Sequence, residues 1–342
     1  MSDKPFLPEI AARVYRGSTA EAEHYASIAV VGPDNRLTHF LGDPSMVTMT
    51  RSSIKPFQLI PLVSSGAADK FQFEDRELAI MCGSHNGSDS HREVVASILT
   101  KADNAPDDLQ CGTHWPMEMQ QAKQYPLNGE DNDPLRHNCS GKHSGFLALA
   151  RSLGEDVSRY IDPQSLTQTL VKQAVADYCE YPVEKMETTV DGCSAPNFSL
   201  PLVNLAVGFR KLASAEGESD EVRRAMARIR QAMWRYPEMV SGEGRFDLDL
   251  ARSFPDNGVC KVGAEAVEGM GFADPPVGIA VKIHDGSWRA LWPVCVEVLR
   301  QVGLIGDLTD YPILQRHVEP QILNYRNIIT GSIRCEFSLH SA

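Results

Sequence analysis

The chain has no C-x-x-C pair among its eight cysteines and no basic segment followed by a long apolar stretch at its start. Nor does any uncharged apolar run reach the roughly 18 residues that a membrane helix needs. The scattered cysteines (Cys82, Cys111, Cys139, Cys179, Cys193, Cys260, Cys295 and Cys335) read mostly as small buried hydrophobes in a reducing compartment. The other two absences predict a cytoplasmic protein with no membrane partner. Positive charge is also scarce: 33 Lys and Arg stand against 45 Asp and Glu, a formal net charge of -12. That balance argues against nucleic acid or an anionic surface and favours a small solute or another protein. Internal repeats, low-complexity tracts and long linkers are missing too.

The 342 residues suit either two domains or one α/β core with an inserted subdomain. HYASIAVV, the turn cluster GPDN and RLTHFLGDP alternate apolar and polar residues as a β-hairpin does. From Lys55 to about Met239 the pattern turns helical, as in LTQTLVKQAVADYCE and SDEVRRAMARIRQAMWRYP. Strand character returns in VGIAVKI. There the turn HDGS and WRALWPVCVEVLRQVG predict a second hairpin leading into an amphipathic helix. The expected architecture is a discontinuous α/β domain, residues 1–51 and 250–342, around a mostly helical domain, residues 52–249, with the active site at the junction.

RSSIKPFQLIPLV, residues 51–63, sets a lysine at the head of an apolar helix. A helix starting near Ser52 places Ser52 and Lys55 side by side, three residues apart, with the hydroxyl at the positive end of the dipole. A neutral, desolvated Lys55 can take the proton of Ser52. Shifting the start to Ser53 loses that relation. The plainer reading makes Ser52 or Ser53 an N-cap and Lys55 a cation snorkelling to water. Two more short patterns follow in order: Ser84-His85-Asn86, the only S-x-N, and Lys261-Val262-Gly263, the only K-x-G. Each is expected about once by chance, but all three in this order are not. The first opens a helix after a hairpin, the second lies in a loop, and the third lies on a strand. This arrangement resembles the β-lactamases and penicillin-binding proteins, whose sheet is built from N- and C-terminal strands around a helical middle.

Longer motifs narrow the resemblance. RSSIKPFQ, CGSHNG, NCSGKHSGF, VDGCSAPNFSLPL, GEGRFDLDLA and KVGAEAVEGMG, within a match running from RGSTAEAEH to GIAVKIHDGS, resemble the bacterial L-asparaginases of the Rhizobium type. The resemblance implies hydrolysis of L-asparagine to L-aspartate and ammonia by a serine nucleophile, in a homodimer. Matched motif by motif, Ser52 with Lys55 is the first serine and lysine pair and Ser84 with Lys261 the second. Two lysines near one small site are self-consistent, because each cation lowers the pKa of the other. Backbone N–H groups at the start of the Ser52 helix are natural oxyanion donors.

His137 to His143 and Asp191 to Cys193 form a second constellation. From the residues alone, Cys139 and Cys193 are core and His143 is a satisfied loop or cap histidine. The spacing is not that of an ordinary zinc site. The resemblance implies a Zn²⁺ bordering the substrate pocket, held by Cys139, Lys142 and Cys193. Asp191 would bind the substrate ammonium and His143 its carboxylate or a metal-bound water, with Arg51, Glu243 and Arg245 as further polar candidates. Against these stand a solvated Arg51, a structural Glu243–Arg245 ion pair and His85 as loop scaffold. Three other functions keep part of the pattern: a glutaminase with the same machinery, a β-lactamase-like hydrolase, and a non-enzymatic metal-binding protein.

Overall fold

The structure, a computed structural model, describes residues 7–117 and 133–342. Strands β1 (Glu9–Arg16), β2 (Thr19–Val31), β3 (Leu37–Leu41) and β4 (Val47–Met49) come first. β5 (Thr188–Val190) and β6 (Pro196–Pro201) lie mid-chain, and β7 (Gly258–Gly263), β8 (Val267–Ala273) and β9 (Pro276–Ile283) follow. β10 (Gln321–Leu323), β11 (Ile329–Cys335) and β12 (His340–Ser341) close the chain. Nine strands form one antiparallel sheet in the order β10-β11-β1-β2-β9-β8-β7, with β3 beside β2 and β12 beside β3. The sheet is therefore built from both ends of the chain, and the protein is a mixed α/β structure with a helical middle, as the motif order implies. The GPDN hairpin forms as expected, Ile28 pairing with Leu41 and Val31 with Leu37.

Two features depart from expectation. After HDGS the chain enters a helix at once, Trp288–Gln301, and the hairpin partner of β9 precedes it as β8, Ala273 facing Pro276. The amphipathic helix expected in this segment is present, but its first residues read as a strand because short apolar runs fit both templates until their length is known. The helical middle also contains a small sheet, β4-β6-β5. Its strands are three to six residues long, too short for a period-2 signal.

The sheet is buried on both faces. Alternate residues of β7 separate the layers: Val259 packs with the helical middle, while Cys260 and Val262 pack with Leu291, Val294 and Val298 of the Trp288–Gln301 helix. Lys261 shares the side of Val259 and so faces the helices that carry Lys55. The helix Leu202–Ser214 lies directly on β8 and β9. A Cβ on Gly271 would meet Phe209 O at 2.1 Å and one on Gly278 would meet Ala206 O at 2.0 Å, so only glycine admits this approach.

β7 is a sheet edge, and side chains occupy its outer backbone groups. Trp234 Nε1 donates to Gly258 O at 3.0 Å, Lys261 Nζ to Val262 O at 2.6 Å, and Val262 N donates to Asp247 Oδ2 at 3.2 Å. Gly263 ends the strand against the turn that holds Ser52, where a Cβ would lie 2.6 Å from Thr50 O and 3.2 Å from both Arg51 Cβ and Ser53 N. Gly263→Ala is expected to cost about 1–3 kcal/mol by overpacking and to lower turnover by displacing Ser52. Urea unfolding read beside initial rates checks both effects, and an alanine variant with wild-type stability would remove the close contact.

All eight cysteines are free, and seven are buried. No helix among the described residues is long and apolar enough to cross a membrane.

Candidate active site

The segment after β4 coils into a 3-10 turn, Arg51–Ile54, and continues as the short α-helix Lys55–Gln58, with Pro56 early where its missing N–H costs nothing. Residues i and i+3 eclipse in a 3-10 turn, so Ser52 and Lys55 share one side. The N-cap reading of the serines does not hold. The cap residue is Thr50, whose hydroxyl donates to Phe198 O at 2.8 Å, and Ser53 Oγ donates to Thr50 O at 2.6 Å. Ser52 is half-buried.

Snorkelling does not hold either, because Lys55 is 1% exposed. Its Nζ donates to Gly83 O at 2.5 Å and to Ser84 Oγ at 2.9 Å. Burial pushes its pKa below the ordinary lysine value; the Lys142 cation adds to this and the Cys139 sulfur opposes it. Ser84 is thus paired with Lys55 and not with Lys261. Lys261, fully buried, bonds its own strand at Val262 O and lies 3.7 Å from Asp247 Oδ2. Burial brings it down to about 8 against the pull of Asp247, and the Lys55 charge lowers it further. The two amines are electrostatically coupled although each has its own hydrogen-bond partners.

The second constellation converges on the same point. Lys142 and His143 lie on the first turn of the helix Ser140–Leu153, capped by Cys139. Lys142 Nζ donates to Cys193 Sγ at 3.1 Å, and Cys193 Sγ reaches Asp191 Oδ2 at 3.8 Å. The neighbouring Cys193 sulfur, with Lys55 and His137 nearby, pushes the Cys139 thiol well below its ordinary value against the penalty of burial. Cys193, beside Cys139 and buried, is pushed the other way, up. Lys142, although buried, stays charged beside the two sulfurs and Asp191. The Cys139 sulfur favours the charged form of Lys55, so the serine and lysine motifs and the cysteines are electrostatically linked. A cavity of about 10 Å³, about the size of one water, lies between Lys55 and Lys142.

Arg51 closes the outer side. Its Nε donates to Asp191 Oδ1 at 2.7 Å, and its backbone sits in the left-handed region at φ 52°, held where its N–H donates to Asn197 Oδ1 at 3.1 Å. Strained backbone of this kind is held by its surroundings and is concentrated at functional sites. A groove of about 570 Å³ lined by Arg51, Asn197, Thr189 and Lys282 opens beside it.

The remaining candidates have other partners. His143 is fully buried, with Nδ1 2.6 Å from the Tyr160 hydroxyl and no partner for Nε2. The Glu243 carboxylate is exposed and bonded to Arg252 at 2.6 Å and 3.0 Å, not to Arg245. Arg245 is buried, with Nη1 3.4 Å from Asn86 Oδ1. His85 stacks on His91 and bonds Ser140, as a scaffold residue would. Sequence reasoning missed Asn197, Asp247 and Glu268. All three stood within the quoted VDGCSAPNFSLPL, GEGRFDLDLA and KVGAEAVEGMG segments, and an acidic residue inside the otherwise apolar strand VEGMGFA was a readable signal.

Comparison with curated proteins returns no match. Among solved structures, a β-lactamase from Mycobacterium bovis is 12% identical with a TM-score of 0.38, over 80% of this chain and 93% of that one. A penicillin-binding protein homologue from Pyrococcus abyssi, described as octameric, is 12% identical with a TM-score of 0.34, over 92% and 85%. A protein named Mglu, in its native form, is 17% identical with a TM-score of 0.36, over 82% of this chain but only 64% of its own length. These are distant likenesses. A family model described as L-asparaginase II matches residues 12–335, nearly the whole chain, and the chain accordingly belongs to the L-asparaginase II family.

Proposed function

We propose that the protein hydrolyses the side-chain amide of L-asparagine to L-aspartate and ammonia through an acyl-enzyme on Ser52. The observation that supports this most strongly is the buried amine of Lys55, set one 3-10 turn from Ser52 and bonded to Ser84. Ser52 Oγ attacks the amide carbon while neutral Lys55 accepts its proton. In the Arg51–Ile54 turn the N–H of Arg51 is taken by Asn197 and that of Ser53 by Thr50 O, which leaves the N–H of Ser52 itself as the donor for the developing oxyanion. The Lys55–Ser84 hydrogen bond gives the proton a path to the departing ammonia. Lys261 keeps Lys55 from holding its proton, because two cations in one dry site repel. Water then cleaves the ester with the same groups reversed. Asp191, anchored by Arg51, meets the substrate ammonium, and Arg51 borders the substrate carboxylate.

Ammonia release from L-asparagine, L-glutamine and a chromogenic β-lactam separates the readings. Turnover of asparagine alone supports this one; glutamine as the better substrate, or β-lactam turnover, overturns it. A pH profile gives a second check. Lys261 titrates near 8 and is coupled to Lys55, so the pair sheds its first proton there and the rate is expected to rise with pH and level off above about 8. Replacing Lys261 with Met should move that limb to higher pH, because Lys55 then holds its proton longer, and an unchanged limb would assign it to another group.

The reading includes Zn²⁺ at Cys139, Lys142 and Cys193. The donor set fits: two sulfurs and an amine already converge, one sulfur as thiolate, and metal binding would displace the protons that now link them. Bound there, the ion would supply a Lewis acid at the edge of the substrate pocket. Cys139→Ser is expected to lower zinc content by about one ion per chain in elemental analysis; equal content would take Cys139 out of the site. A homodimer and a cytoplasmic location complete the proposal, the first checked by sedimentation equilibrium.

A further inference from the structure

On the face of the sheet away from Lys55 a second polar cluster is buried. Asp247 comes from the helix Phe246–Ser253, Cys260 from β7 and Glu268 from β8, each with no more than 3% of its surface exposed. One ligating atom from each lies within 4.8 Å of the other two. Cys260 Sγ donates to the Asp247 carbonyl at 3.4 Å, and Asp247 Oδ2 accepts from Val262 N. Glu268 is the exception: both of its carboxyl oxygens are buried without a hydrogen-bond partner. An unpaired carboxylate in such a place is strongly disfavoured, and protonating it only exchanges a bare charge for an O–H with no acceptor. The nearby cation, Lys261, is directed to Val262 O and Asp247.

We propose that Asp247, Cys260 and Glu268 form a divalent metal site, distinct from the cysteine and lysine cluster beside Ser52. Two carboxylates and one thiolate suit a zinc-class ion, with water in the fourth position, better than the all-oxygen shells of magnesium or calcium. The three residues sit on three different elements, so a bound ion clamps the edge strand carrying Lys261 to its neighbour β8 and to the helix behind it. Loading takes the proton from Cys260, so binding releases protons and tightens as pH rises.

Cobalt titration of the chelator-treated Cys139→Ser/Cys193→Ser double variant tests this with the other cysteine pair removed. We expect one Co²⁺ per chain and an absorption band of a single thiolate-to-cobalt charge transfer. Adding Cys260→Ala should abolish the band, and adding Glu268→Gln should weaken cobalt binding at least about tenfold. No bound cobalt, no thiolate band, or a Glu268→Gln affinity equal to that of the parent overturns the proposal. Elemental analysis decides independently of the double variant's folding: wild type should carry about one zinc per chain more than Glu268→Gln alone, and equal contents overturn it as well.

Discussion

Ser52→Ala is expected to fold normally and to lose at least about four orders of magnitude in kcat, with no acyl-enzyme trapped on rapid quenching. The hydroxyl is half-buried in a turn whose shape is set by other groups: the Thr50 hydroxyl on Phe198, Ser53 on Thr50, and the Arg51 backbone on Asn197. Removing one oxygen from Ser52 leaves all of these in place, so the melting temperature should move little while the rate collapses. Ser53 offers the contrast. Its hydroxyl already donates to Thr50 O, so Ser53→Ala is a stability change with most of the rate retained. An Ser52→Ala enzyme with ordinary turnover would refute the covalent mechanism.

Lys55→Met should cost about three orders of magnitude or more in kcat, near the upper range for losing a general base, and should not unfold the protein. The sign of the stability effect is the informative part. Burial lowers the pKa of Lys55, so the folded state binds its proton less readily than the unfolded chain, and stability from this group is greatest at high pH. Below that window the native state carries a disfavoured cation. Methionine fills much the same volume and removes that penalty, at the cost of the bonds to Gly83 O and Ser84 Oγ. A thermal melt at neutral pH is expected to match or exceed wild type while activity is lost. A snorkelling lysine would give the reverse: a nearly unchanged rate and no pH-dependent gain in stability.

Much of this site was legible in the sequence because it is carried by contiguous motifs. The placement of Lys55 at the start of an apolar helix and of Lys261 on a returning strand both follow from local periodicity and turn residues. Which lysine meets which serine was not legible. The pairing of Ser84 with Lys55 depends on how the loop after Met81 packs against the Lys55–Gln58 helix, and sequence spacing does not encode a distance between segments 29 residues apart. Glu243 illustrates the same gap. Its motif neighbours Arg245 and Asp247 turn inward, while its own carboxylate turns out to Arg252. In the fold, the first hairpin was plain in the alternation of β2 and β3. The amphipathic helix after HDGS was legible as well, but not its starting point, since an apolar run rich in Val and Trp satisfies strand and helix templates until the sheet has used its last partner.

The outer rim of β7 has one more consequence. An edge strand normally exposes a ladder of free N–H and C=O groups on which a second chain can grow a sheet. Here Trp234, Lys261 and Asp247 fill that ladder at Gly258 and Val262. The lysine proposed to tune the catalytic amine is therefore also a guard against polymerisation, and the Lys261→Met variant used for the pH profile frees the Val262 carbonyl. Samples of it concentrated or held warm would be the first in the series to form fibres or higher oligomers, an outcome set by the sheet edge and unrelated to chemistry on the substrate.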